Sequence, residues 1–375
     1  MVNLKSNQLT ENLSLPSPRS AIACSRLARM SRRLRSMLGA CCLLLIAVAC
    51  SSSAPSTSPN HSTTGSRTDS STTSATKASK PTSKPSTGQV TVAAAPFSLP
   101  RPSARAVLVA DGDHLLLLGG FDGAKRTISE ILRIDPRART VTNAGALVAA
   151  VHDAGGAQVG GTPMVFGGGN SSETNGVQAV GPTGVSVVGH LPIPRSDLTA
   201  TTIGGRTFII GGYDGARVRG TTISTSDGVT FQVLGDLPVP VRYPAVAALG
   251  ARIYIVGGTT DGNASGAVRA VQMLDTTTGA ARQVGELPQG LTDAVAATVR
   301  GHIYVFGGLL AGRETNQVWR LDPGPDGVGP VTLNPVATLP TPISDAAIAV
   351  LGNVAYLVGG ESPNLLSSII TLEVR

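Results

Sequence analysis

Cysteine is missing from most of this chain. All four cysteines, Cys24, Cys41, Cys42 and Cys50, lie within the first 50 residues. Residues 51–375 therefore hold neither a disulfide framework nor a cysteine-type zinc site. Aromatic residues make up only 3% of the sequence and charged residues only 14%, so platforms on which sugars stack are scarce. The five histidines form no cluster with metal-ligand spacing along the chain. No phosphate-binding loop, dinucleotide-binding glycine pattern or G-x-S-x-G elbow is present. No metal or cofactor is expected.

A surplus of positive charge is also missing from the main body. The formal charge of +7 suggests nucleic acid until it is divided along the chain. Residues 1–50 hold seven basic side chains, Lys5, Arg19, Arg26, Arg29, Arg32, Arg33 and Arg35, against Glu11, which leaves 23 basic against 22 acidic for the rest. A nucleic-acid partner is not expected.

The basic leader has a specific reading. Arg32, Arg33 and Arg35 precede an apolar run from Met37 to Ala49, which ends in small residues before Cys50. That is the layout of a secretory signal peptide, too short to span a bilayer comfortably. Ala47-Val48-Ala49-Cys50 resembles the lipobox of bacterial lipoproteins, with Ala47 where that family prefers Leu. The resemblance implies a diacylglycerol on the Cys50 thiol and a chain tethered to the extracellular face of the bacterial plasma membrane. Residues 51–88 are mostly Ser, Thr, Pro and Lys. Such a segment buries too little apolar surface to offset its conformational entropy and is expected to be a disordered spacer. The expected domains are 1–50 signal peptide, 51–88 linker and 89–375 folded body.

What the body has in abundance is glycine, 45 residues in the whole chain, with 25 prolines. A Gly-Gly pair behind an apolar run recurs six times, starting at Gly119, Gly167, Gly211, Gly257, Gly307 and Gly359. A leucine stands 20 residues before each pair, at Leu99, Leu147, Leu191, Leu237, Leu287 and Leu339. Seven residues before the pair comes Gly112, Gly160, Gly204, Gly250 or Gly352, with Gly301 one place late, as the positive-φ position of a hairpin turn requires. Each unit reads as strand, glycine turn, strand, Gly-Gly, polar loop and two weaker strands. Four antiparallel strands in some 48 residues make one blade of a β-propeller. The fold class is all-β, a six-bladed propeller. The last unit ends at Arg375 before its fourth strand, while Gln89 to Ala93 has no blade of its own. The N-terminal strand is predicted to complete the last blade.

These units resemble the kelch family. The clearest runs Ile303-Tyr304-Val305-Phe306-Gly307-Gly308, followed by Trp319 before Asp322. Where the family places its second aromatic stand Val141, Val185, Phe231, Ala281 and Leu333, one aromatic in five, which leaves most inter-blade packing to aliphatic side chains. Copper oxidases that resemble kelch propellers need a cysteine crosslinked to tyrosine, and the body has no cysteine for it.

Fourteen residues before each Gly-Gly stand Arg105, Asp153, Asp197, Tyr243, Asp293 and Asp345. Equivalent positions of six blades must ring one mouth of the central channel, beside the loops that follow Gly-Gly. Two readings follow. In one, the ring is an acidic funnel for a cation, a cationic ligand or sugar hydroxyls, with Arg105 its lone positive partner and His152 a further candidate base. In the other, which the sequence favours, each Asp accepts backbone N–H bonds where strands converge. The expected function is a monomeric surface module that binds a glycan, cell-wall polymer or protein. The alternative is a carbohydrate-active enzyme resembling the kelch-type sialic acid mutarotases.

Overall fold

A computed structural model describes residues 89–375 except Val328. The predicted signal peptide, the Cys50 lipid site and the linker over 51–88 lie outside the described residues.

Each repeat folds as expected. In the first blade, Val107–Asp111 and His114–Leu118 pair antiparallel across the Gly112 turn, and Glu130–Asp135 and Thr140–Ala146 follow outward. Blades two to six open with innermost strands Gly155–Val159, Thr199–Ile203, Ala245–Leu249, Val295–Val299 and Ala347–Leu351. In the fifth blade, where the turn glycine is one place late, Arg300 itself takes the left-handed position at φ 48 ahead of Gly301. All six blades are four-stranded. In the last, Val90–Ala94 pairs with Ile369–Val374 as its outermost strand, so both ends of the described chain meet in one sheet.

The apolar runs are explained by burial on both sheet faces. Leu115 to Leu118 are at most 4% exposed. Alternate side chains turn to opposite neighbours: Val107 and Val109 pack with Val165 of blade two, whereas Leu108 packs with Ala347 and Val358 of blade six. The core is thus six clusters, each shared by two adjacent blades. Each fully buried leucine contributes roughly 2 kcal/mol of hydrophobic stabilisation.

The glycine doublet is the hinge pin of this arrangement. The N–H of its second glycine donates to a carbonyl of the next blade: Gly120 to Val151 (2.8 Å), Gly168 to Arg195 (2.7 Å), and so round to Gly360 and Ser103 (2.8 Å). A Cβ on the first glycine would collide with that same carbonyl oxygen, as at Gly257 against Leu291. The landmark leucines are 2–5% exposed. Leu147 and Leu191 lie against the first glycine of the doublet that precedes them in the chain, Gly119 and Gly167.

Candidate ligand site at the channel mouth

The six residues two places before the innermost strands form a closed ring of backbone hydrogen bonds. Each N–H donates to the carbonyl of its counterpart in the preceding blade: Asp153 to Arg105 (3.0 Å), Asp197 to Asp153 (2.7 Å), Tyr243 to Asp197 (3.0 Å), Asp293 to Tyr243 (3.3 Å), Asp345 to Asp293 (3.0 Å) and Arg105 to Asp345 (3.0 Å). All six adopt left-handed backbone, with φ between 51 and 58. That conformation costs an L-residue roughly 1–2 kcal/mol, and Asp is among the few that visit it readily.

This corrects the reading that the sequence favoured. No carboxylate of Asp153, Asp197, Asp293 or Asp345 accepts a backbone N–H bond among the described residues. The backbone closes the ring by itself, and the side chains are left to meet over the channel. Left-handed geometry accounts for the four aspartates. It offers no reason for Arg105 or Tyr243, whose side chains must be explained by what they touch.

Arg105 touches nearly everything. Its guanidinium lies 3.2 Å from Asp153, 3.3 Å from Asp345 and 3.3 Å from Glu361, and donates to the Tyr243 hydroxyl at 3.1 Å. It is not the lone cation. Arg242 pairs with Asp197 and reaches the Tyr243 hydroxyl at 3.3 Å, and Lys125 meets Glu361 at 2.8 Å. Five carboxylates thus face three cations at this mouth. Among the described residues, Asp293 alone of the five has no cation within ion-pair distance.

The electrostatics follow from crowding. Burial pushes the Asp153 carboxyl up to about 7, with Arg105 opposing and Asp197 and Asp345 adding repulsion. Asp293 is pushed up to about 8 by burial and then by Asp345. Burial also raises Asp197 against the pull of Arg242, and Asp345 against the pull of Arg105. Arg105 is desolvated, yet Asp153 and Asp345 hold its proton more firmly than usual. Burial, then Asp153 and Asp197, keep the Tyr243 phenol protonated.

Two more repeat positions complete the rim, and sequence reasoning missed most of them. The residue after each Gly-Gly pairs with the residue before the ring, across an isolated bridge in five blades, as in Ala104 with Phe121, Ser196 with Tyr213 and Ser344 with Glu361, and within a short ladder in blade five, Thr292 with Leu309. This puts the loops after Gly-Gly on the ring's face, as strand parity predicts. It also gathers the scarce aromatics. Arg105 lies 5.9 Å from the Phe121 ring and 5.3 Å from Tyr243, while Arg242 lies 5.0 Å from Tyr243 and 4.5 Å from Tyr213. His152 stacks on Phe121 at 4.3 Å and meets the Thr127 hydroxyl at 2.9 Å. Burial, followed by Arg105, lowers its pKa, which favours the neutral imidazole. The signal for Glu361, Phe121 and Tyr213 was available in the sequence, since all three directly follow a doublet.

Below the ring the mouth opens into a cavity of about 490 Å³. Its wall is small and neutral, with Gly155, Ala200, Ala247, Ala296 and Ala347 among its residues. A second girdle crosses it five residues further along each inner strand. There Gln158 donates to the Ala110 carbonyl (2.5 Å), Thr202 to Gln158 (2.9 Å) and Thr298 to Ala248 (2.5 Å). No group of three or more His, Cys, Asp or Glu among the described residues is arranged to hold a metal ion.

Comparison with known proteins agrees with this architecture. The Kelch motif matches residues 290–324, which run from the ring position of blade five through its third strand. A solved structure, titled "Structure of YjhT", is similar with a TM-score of 0.63 and 15% identity, over 74% of this chain and 97% of that one. Identity this low bears on the fold alone. No curated protein matches the chain in sequence.

Proposed function

Because the chain is a kelch-repeat β-propeller, whose activity lies in its loops and channel rather than in its scaffold, we propose that it is a binding module taking its ligand at the channel mouth. The observation that carries this reading is the placement of Arg105 and Tyr243. Both hold left-handed backbone for which neither side chain is suited, and both reach Asp153 over an open cavity. A purely structural ring would be served by aspartate, asparagine or glycine at those positions.

The proposed setting is the outer face of a bacterial plasma membrane, with Cys50 lipidated and residues 51–88 as the spacer. The proposed ligand is extracellular: a glycan, a cell-wall polymer or a protein. Screening Asp153→Asn, Arg105→Gln and Tyr243→Phe variants against glycan arrays and cell-wall fractions tests the site. Loss of binding with an unchanged circular dichroism spectrum is expected, and full retention in all three variants overturns the mouth as the site. Metabolic labelling with an alkyne fatty acid, lost in Cys50→Ser, tests the anchor.

One observation favours a second reading. Asp153 and Asp293 hold protons into the neutral range within one cavity, which suits general acid and base roles on a sugar. An enzyme would lose turnover in Asp293→Asn while still binding its substrate. A binder would show no turnover in the parent protein.

A further inference from the structure

The carbonyls of the lower girdle reveal which way the inner strands present their edges. Ala110, Gln158 and Ala248 each accept a side-chain bond from the inner strand of the next blade, so their carbonyls point away from their own second strands and towards the channel. Every inner strand is an edge of its sheet, and backbone groups on one side of a strand recur every second residue. Two residues nearer the mouth, Leu108, Gly156, Ala200, Val246, Ala296 and Ile348 therefore turn both N–H and C=O to the channel, and all six line the cavity. Two prolines fit the same parity. Pro163, with no N–H to give, stands opposite Gln158 in the ladder, and the Pro244 carbonyl, two residues above Val246, is taken by the Thr199 hydroxyl.

This tier has no partner in the protein. Among the described residues neither a side chain nor a loop backbone bonds to the channel-facing groups of the six. Six donors and six acceptors thus meet at one depth of a cavity of about 490 Å³. Buried backbone groups are seldom left unpaired, so water or a ligand takes them up.

The chemistry of the tier selects among ligands. A hydroxyl both donates and accepts, whereas an ammonium only donates and a carboxylate only accepts. A polyhydroxyl ring can use both halves of the tier, while an ion leaves one half unpaired. An extended peptide finds too short an edge on most strands, because girdle bonds occupy the rung below. Charge narrows the choice further. Arg105 is already shared by Asp153, Asp345 and Glu361, so a carboxylate on the ligand meets repulsion at the mouth and no free guanidinium. Access sets the last limit. The ring of backbone bonds joins all six blades, which leaves no slit for a polymer to lie across the channel; only an end can enter.

Resting on the binding reading above, we infer that the ligand is an uncharged glycan whose terminal sugar enters the channel and pairs its hydroxyls with the backbone tier of Leu108, Gly156, Ala200, Val246, Ala296 and Ile348. The acids of the ring then exclude anions, and the small side chains below them keep the backbone within reach.

The test is isothermal titration of the full-length protein at pH 7 with the methyl glycosides of glucose, galactose, mannose and N-acetylglucosamine and with linear trisaccharides of each. The hexoses are set against their uronic acids, and N-acetylglucosamine against N-acetylmuramic acid. Amide NMR spectra of the same samples follow the tier. The expected result is that at least one neutral glycoside binds about tenfold tighter or more than its acidic twin and shifts the tier amides. The alternate residues Val109, Ala157, Thr201 and Ala297, which bond within their own ladders, should move less. Equal or tighter binding of the acidic twin overturns the inference while leaving the mouth as a site, and so does neutral binding that leaves the tier unmoved. Affinity seen only with trisaccharides overturns entry by a single terminal unit. Binding by none of the probes also overturns the inference, and the glycan and cell-wall screen of the ring variants then judges the broader reading separately.

Discussion

The Arg105 guanidinium lies 3.2 Å from the Asp153 carboxylate, although the two residues occupy the same repeat position in adjacent blades. Propeller symmetry brings equivalent positions together, so a change of residue type at one of them becomes a contact between unlike groups. Replacing Arg105 with Ala leaves Asp153, Asp345 and Glu361 without their shared cation. Stability should fall by about 3–5 kcal/mol near neutral pH, the usual cost of breaking a buried pair from one side. Denaturant unfolding at pH 8 and pH 5 checks this, because protonation of the acids should recover much of the loss at pH 5.

Asp153 and Asp293 make the folded state sensitive to alkali. Their native pKa values, about 7 and about 8, lie above the ordinary carboxyl value. A raised native pKa gives stability that is complete below the unfolded value and is lost as pH rises towards the native one. Stability from this pair should decline between about pH 4 and pH 8 and level off above that. Asp227, held near 2 by the amides of Thr230 and Val229, acts oppositely and only at lower pH. Melting temperature measured across this range should flatten in the Asp153→Asn, Asp293→Asn double variant.

Two glycine-to-alanine changes separate collision from conformation. Gly257 and Gly250 both have positive φ, 63 and 60. A Cβ at Gly250 meets nothing within 4 Å, whereas at Gly257 it strikes the Leu291 carbonyl oxygen. Gly250→Ala should cost about 1 kcal/mol, and Gly257→Ala more than about 3 kcal/mol, since it also displaces the Gly258 to Leu291 inter-blade bond. Chemical denaturation of the two variants gives the comparison.

Closure by the N-terminal strand should matter to every blade. Removing residues 90–94 strips the outermost strand from blade six and bares Val374, Leu372 and Ile370. A single cooperative transition at markedly lower denaturant is expected. An unchanged midpoint in urea would show that the strand is dispensable.

The doublets, turn glycines and leucines were legible without coordinates because each recurs at a nearly constant offset within its own repeat. They determined blade number, register and the completion of blade six, since apolar runs of that period can be buried on both faces only by circular stacking. The ring position was legible for the same reason. Its chemistry was not, and the sequence alone favoured the wrong partner for the aspartates.

Only tertiary structure decided what those side chains face. Arg105 meets Glu361 across 256 residues of chain, a contact that no local spacing encodes, and Arg242 reaches the mouth from a repeat position that holds no other arginine or lysine. Backbone pattern is local and periodic, so sequence fixes it early; the balance of charge over a shared channel depends on six separate segments converging, and appears only once the circle is closed.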